Sequence, residues 1–244
     1  MSLVAEVEAQ EITRLLAPID TQVPAGLFDV EDETYQAIDQ EMVKLGGLQE
    51  ASIDWDYIEE ASGQYLERQC KHLRIVAHLS VAWLRSGCWE RWGFTLALLG
   101  GMIEGYWETA HPAPGPKGFL TKRKVVGLVL NRLIDALPRL DRFTYTPAHA
   151  AAAKGALARL LRQQEAAQLD PAVLVELERL LHKHTALANG IGECDAPKAP
   201  VESPQPAPLA DVIATPKPCL SGGNERETRR ASQFTGDTRR LDAR

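Results

Sequence analysis

Apolar residues recur every three or four positions over most of the first 190 residues, which is the spacing that places them on one face of an α-helix. The clearest stripe consists of Tyr35, Ile38, Met42 and Leu45. No segment shows the strict alternation of apolar and polar residues that is typical of a half-buried β-strand. The pattern therefore predicts an all-α fold, an antiparallel bundle of about eight helices.

Prolines, glycines and capping residues predict where these helices begin and end. The first helix is expected to run from about Leu3 to Leu16, because the residue before Pro18 is disfavoured in helical geometry. Short polar side chains that can accept a hydrogen bond from a free backbone N–H mark the starts of later helices. The predicted N-caps are, in chain order, Asp29, Ser52 or Asp54, Thr121, Thr146 and Asp170.

The stretch from Ser52 to Pro112 is predicted to hold the centre of the core. It contains all five tryptophans of the chain, and a buried tryptophan covers on the order of 150–250 Å². Within it, the segment from Phe94 to Ile103 is apolar nearly all round, as in the central helix of a bundle. Gly100-Gly101 interrupts this apolar helix, and we interpret the pair as a site of close helix packing.

The chain divides into three parts by composition. Residues 1–143 form the predicted main helical domain, and residues 144–190 form an additional helical hairpin packed on it or following it. After Gly190 the sequence becomes rich in proline and alanine and then polar, with one aromatic residue. Residues 191–244 are therefore predicted to be a disordered linker and tail.

Charge is unevenly distributed along a chain whose net charge is −6. Eleven acidic residues and one lysine lie between Asp29 and Glu60, whereas seven basic and two acidic residues lie between Lys117 and Arg142. These are either two solvated faces or complementary patches for assembly. The basic run lacks interleaved aromatic residues, so nucleic-acid binding is not expected. The candidate interface residues are Asp29, Glu31, Asp32, Glu33, Lys122, Arg123 and Lys124.

The sequence offers no pattern typical of a catalytic, cofactor or metal site. Cys70 and His72 are two residues apart, as are His182 and His184, so each pair splits across the faces of a helix instead of converging on a metal. No basic N-terminal leader and no apolar run of the ~20 residues that a membrane span needs is present. We expect a reduced, cytoplasmic protein without cofactor, metal or membrane insertion.

A set of residues in a fixed order resembles the ImpA-type N-terminal domain of the TssA proteins of bacterial type VI secretion. The resemblance covers about residues 15–112, and His72 stands where that family usually has aspartate. The residues that carry it are Pro24, Gly26, Asp29, Tyr35, Asp54, Trp55, Lys71, Leu73, Arg74, Tyr106, Trp107, His111 and Pro112.

The resemblance implies a non-enzymatic scaffold that contacts baseplate and tail sheath or tube proteins, with self-association as a further possibility. The residues alone are equally compatible with an all-α interaction adaptor unrelated to secretion. Lys71 and Arg74 open a predicted helix, where the helix dipole disfavours cations. We therefore expect both to bind acidic side chains, with the segment from Asp54 to Glu60 as the candidate source.

Overall fold

The structure is a computed structural model that describes residues 3–192 of the 244-residue chain. This part contains eight α-helices and no β-strand, which confirms the predicted all-α fold. The helices are α1 (Leu3–Leu16), α2 (Glu33–Val43), α3 (Trp55–Arg68), α4 (Leu73–Arg85), α5 (Trp89–Tyr106), α6 (Phe119–Ala136), α7 (Pro147–Arg162) and α8 (Pro171–Gly192). The tail predicted to be disordered begins at residue 191, but residues 191 and 192 belong to α8, and the rest of it lies outside the described residues.

Helix α5 lies at the centre of the bundle, as its nearly continuous apolar surface predicts. It packs against α1, α4, α6 and α7. Trp92 on this helix is fully buried, and its indole N–H donates a hydrogen bond of 2.9 Å to the Leu133 carbonyl on α6. The central tryptophan therefore combines apolar burial with a satisfied polar atom.

Of the pair Gly100-Gly101 inside α5, Gly101 is the one that allows a close approach of a neighbouring helix. A Cβ atom on Gly101 would lie 2.2 Å from Cδ1 of Leu16, and one on Gly100 would lie 3.5 Å from the Ala156 carbonyl oxygen on α7. Leu16 therefore occupies space that any side chain at position 101 would need. The close packing predicted for Gly100-Gly101 is thus found at Gly101, whereas Gly100 has room for a Cβ atom at ordinary contact distance.

The capping predictions are confirmed for α3 and α7. The Asp54 carboxylate accepts a 2.9 Å hydrogen bond from the Tyr57 N–H, and the Thr146 hydroxyl accepts one of 3.1 Å from the His149 N–H. Asp54 thereby satisfies one of the N–H groups that have no partner within the first turn of α3.

Two predicted caps are wrong. Helix α2 is capped by Asp32, which accepts a 2.8 Å hydrogen bond from the Tyr35 N–H, whereas Asp29 accepts from the Glu31 N–H in the preceding turn. Thr121 lies inside α6 because a 3₁₀ turn, Pro116–Gly118, leads directly into that helix and Gly118 occupies the N-cap position. At α2 two aspartates three residues apart were available, whereas α6 continues directly from the 3₁₀ turn and has no side-chain cap.

Substituting Asp54 with alanine is expected to lower the free energy of unfolding by about 1 kcal/mol, because the cap on α3 is lost. Urea denaturation followed by circular dichroism measures this change. Asp54→Asn is the matched control, since asparagine caps nearly as well as aspartate. Equal stability of Asp54→Ala and the unsubstituted protein would show that the cap contributes nothing.

Candidate functional site

Three segments of the chain meet beside the N-terminus of α4: residues 25–26, residues 70–72 and His111. Most of the residues in the resemblance lie there. Two isolated β-bridges join them, one between Gly26 and Cys70 and one between His72 and His111. The Lys71 N–H donates to the Ala25 carbonyl at 2.7 Å, and the Lys71 carbonyl accepts from the His111 N–H at 3.0 Å. The backbone of residues 70–72 is therefore held on both sides, and we call this region the three-segment junction.

Lys71 is fully buried within the junction. Its ammonium group donates hydrogen bonds to the carbonyls of Leu15 at 2.6 Å and Leu66 at 2.5 Å. Both carbonyls belong to the last turns of α1 and α3, where the helix dipole favours a cation. Burial lowers the pKa of Lys71 to about 8. The prediction that Lys71 binds an acidic side chain is wrong, because its ammonium group donates to backbone carbonyls at helix ends instead.

Lys122 is fully buried in the same manner. Its ammonium group donates to the Trp107 carbonyl at 2.5 Å and to the Glu108 carbonyl at 3.3 Å, at the C-terminal end of α5. Lys122 was a candidate interface residue, and its burial rules it out of any exposed surface. Its neighbours Arg123, half-buried, and Lys124, exposed, remain accessible.

Arg74 forms an ion pair with Asp39 on α2, with 2.6 Å between its Nη2 and the carboxylate oxygen. The same carboxylate lies 3.1 Å from Nε2 of His78. Arg74 therefore binds an acidic side chain, as expected. That side chain lies on α2, so the predicted position between Asp54 and Glu60 is wrong. Helix α2 crosses α4 at this point, so the pair links two helices that are distant in sequence.

His72 is the N-cap of α4 and lies inside the junction. Its Nδ1 accepts a 3.1 Å hydrogen bond from the Arg74 N–H, which places the proton of the neutral ring on Nε2. The rings of Phe28 and Tyr35 lie 4.7 and 5.2 Å from the His72 ring. Burial, with a smaller effect of His111, lowers the pKa of His72 to about 3. His72 is therefore an uncharged cap in an aromatic environment.

The remaining residues of the resemblance also make contacts within the fold. The Tyr106 hydroxyl donates to the Leu16 carbonyl at 2.7 Å, and the guanidinium of Arg85 lies 4.9 Å above the Trp55 ring. Leu73 and Trp107 are buried, and Pro112 follows His111 through a cis peptide bond. These residues thus make contacts that hold the domain together.

The acidic run of residues 29–60 is less available than its sequence indicates. Asp29 and Asp32 accept backbone hydrogen bonds, and Glu59 pairs with Arg91 at 2.8 Å. Glu31 and Glu33 are exposed, and neither forms an ion pair with another described residue. Asp29, Glu31 and Glu33 are therefore the exposed acids of the predicted interface, and of these Glu31 and Glu33 are the two whose carboxylates accept no backbone hydrogen bond from a described residue.

Neither a metal cluster nor a membrane span is found in the described part of the chain. No group of three or more histidine, cysteine or acidic side chains there could hold a metal ion. Within residues 3–192, every helix is too short or too polar to cross a bilayer.

Comparison with known proteins relates the chain to one family. Residues 16–131 match the family model described as ImpA, N-terminal, type VI secretion system. The fold is similar to the N-terminal domain, including the conserved ImpA_N region, of the TssA component of the type VI secretion system from Burkholderia cenocepacia. That match has a TM-score of 0.60 and 16% sequence identity, and it covers 76% of this chain and 94% of that chain. A search of curated proteins found no match. Over residues 16–131, the chain is therefore similar to the ImpA N-terminal domain of the type VI secretion system.

Proposed function

We propose that this protein is a non-enzymatic assembly component of a type VI secretion system that acts in the cytoplasm. In this role it contacts baseplate and tail sheath or tube proteins. The match of residues 16–131 to the type VI secretion family carries the proposal. The domain supplies a helical frame, and exposed side chains on that frame make the contacts.

The use of the buried ionisable groups supports a structural role. Lys71 and Lys122 each donate to two backbone carbonyls at helix ends, and the Nδ1 of His72 caps α4. Groups with shifted pKa values often mark catalytic sites, but networks that hold a fold together shift them as well. The contacts of Lys71, Lys122 and His72 are those of a network that holds the fold together.

The contact surfaces that we propose consist of accessible residues from the two candidate interfaces. Glu31 and Glu33 form one, beside the N-terminus of α2, and Arg123 and Lys124 form the other, on α6. Exposed charges of one sign select partners of the opposite sign and accelerate their encounter. Glu31 and Glu33 therefore suit a basic surface on an apparatus protein, and Arg123 and Lys124 an acidic one.

A tagged pull-down from cells with an active type VI system, read by mass spectrometry, tests the proposal. We expect sheath, tube or baseplate subunits to be recovered, and we expect Glu31→Lys/Glu33→Lys to reduce their recovery several-fold. Asp135→Lys/Glu165→Lys is the matched control, because it changes the net charge equally at two exposed acids outside ion pairs among the described residues. Recovery of no apparatus protein by the unsubstituted chain would refute the proposed function.

A further inference from the structure

An apolar groove of about 430 Å³ lies between α6 and the segment that leads into α8. Apolar side chains from both elements line it: Val126, Leu130, Leu169 and Val173. At its rim, the side chain of Leu120 is 58% exposed although it is large and apolar. This α6–α8 groove can therefore accept apolar side chains from another molecule.

The rim of the groove carries positive charge. Arg123 and Lys124 both line it, and neither forms an ion pair with a described residue. Nε of Arg123 is buried without a hydrogen-bond acceptor. Asp170 also lines the groove, but its carboxylate accepts the Ala172 N–H at 2.9 Å at the start of α8. A ligand with carboxylates beside apolar side chains would pair with the positive charges of Arg123 and Lys124.

The same chain displays a segment of this chemistry. Residues 27–33, Leu-Phe-Asp-Val-Glu-Asp-Glu, combine exposed apolar and acidic side chains, and we call them the acidic–apolar segment. Leu27 is 80% exposed and Val30 is 58% exposed. Glu31 and Glu33 are exposed beside them.

The acidic–apolar segment is fixed away from the groove of its own copy. Phe28, its second residue, packs on Tyr35 at 4.9 Å and on His72 at 4.7 Å between ring centroids. None of the residues 27–33 lines the α6–α8 groove. An acidic–apolar segment that fills this groove in the folded domain must therefore come from a second copy.

We propose that the acidic–apolar segment of one copy docks into the α6–α8 groove of another, with Leu27 and Val30 in the groove and Glu31 and Glu33 against Arg123 and Lys124. The inference rests on the proposed function only in taking these two surfaces as contact surfaces. Because the two surfaces differ, the contact is head-to-tail and extends to chains or rings of copies. Seven residues form a small interface, so the association is weak and is favoured by high local concentration.

Sedimentation velocity of the purified full chain over a range of concentrations tests the contact. We expect the average mass to rise above the monomer value of 26.8 kDa with concentration, and to rise more at low salt. Leu120→Ser/Lys124→Glu in the groove and Leu27→Ser/Glu31→Lys in the segment should each stay at the monomer mass. All four side chains are exposed, so both variants should fold. Lys154→Glu, an exposed lysine on α7, is the control that should still associate.

Mixing the two variants gives the sharper result. The groove variant retains a functional segment and the segment variant retains a functional groove, so an equimolar mixture should form dimers and nothing larger. A mixture that stays monomeric, or a groove variant that associates as well as the unsubstituted chain, overturns the proposal.

The outcomes separate this inference from the proposed function. If the purified chain stays monomeric at every concentration while Leu120→Ser/Lys124→Glu reduces recovery of apparatus proteins, the groove binds another protein and self-docking is refuted. If the chain associates as described and the pull-down recovers no apparatus protein, the docking stands and the proposed function fails.

Discussion

Replacing Gly26 with alanine is expected to lower the free energy of unfolding by about 4 kcal/mol or more, the range of the most damaging single substitutions. Gly26 has φ +73°, and a Cβ atom there would lie 2.1 Å from the Gln69 carbonyl oxygen. This oxygen belongs to a backbone that cannot shift freely, since the Lys71 N–H two residues later donates to the Ala25 carbonyl at 2.7 Å. The substitution therefore forces the three-segment junction apart.

Gly46→Ala is the matched control for this effect. Gly46 has φ +77°, but nothing lies within 4 Å of the position that its Cβ would take. Alanine there incurs only the cost of left-handed backbone geometry, about 1–2 kcal/mol. Urea denaturation of both variants isolates the contribution of the close contact with Gln69. A similar loss of stability in the two variants would show that backbone geometry alone makes Gly26 necessary.

Acidification is expected to destabilise the domain through His72. Burial lowers the pKa of His72 in the folded state to about 3, whereas the unfolded state titrates near 6.5. Between these values the unfolded chain binds a proton that the folded chain excludes, so the stability present above pH 6.5 is lost as the pH falls towards 3. The full difference corresponds to about 5 kcal/mol.

Comparing the unfolding free energy of the protein and of His72→Asn across this pH range measures the effect. Asparagine can cap α4 and does not titrate, so this variant should lose less stability on acidification. Burial also lowers the pKa values of His78 and His111. Both histidines are present in the unsubstituted protein and in His72→Asn, so their effect on stability is common to the two. Parallel pH profiles for the two proteins would contradict the assigned role of His72.

Helix positions could be predicted because they follow from local periodicity. The stripe of Tyr35, Ile38 and Met42 gives α2, and the apolar run beginning near Phe94 gives the central α5. Boundaries were less certain where several polar residues compete, as at Asp29 and Asp32. There both aspartates accept a backbone N–H, and the local sequence does not distinguish the cap, Asp32, from the turn residue, Asp29.

The buried lysines show what the charge pattern conceals. Lys122 lies within a basic run, yet it is four residues before Val126 and seven before Val129, in phase with the buried stripe of α6. That spacing was a usable signal, and the hydrophilic character of lysine obscured it. The pairing of Arg74 with Asp39 had no such signal, because 35 positions separate the two residues and only the packing of α2 on α4 brings them together.

The two buried ammonium groups also affect how the domain responds to amine-modifying chemistry. Acylating reagents and acetyl-transferring enzymes need an accessible, uncharged amine, and neither Lys71 nor Lys122 is accessible in the folded protein. Exposed lysines such as Lys154 and Lys183 react directly. Acylation of Lys71 requires release of the carbonyls at the ends of α1 and α3, so the rate at which this lysine is labelled reports how often those helix ends open.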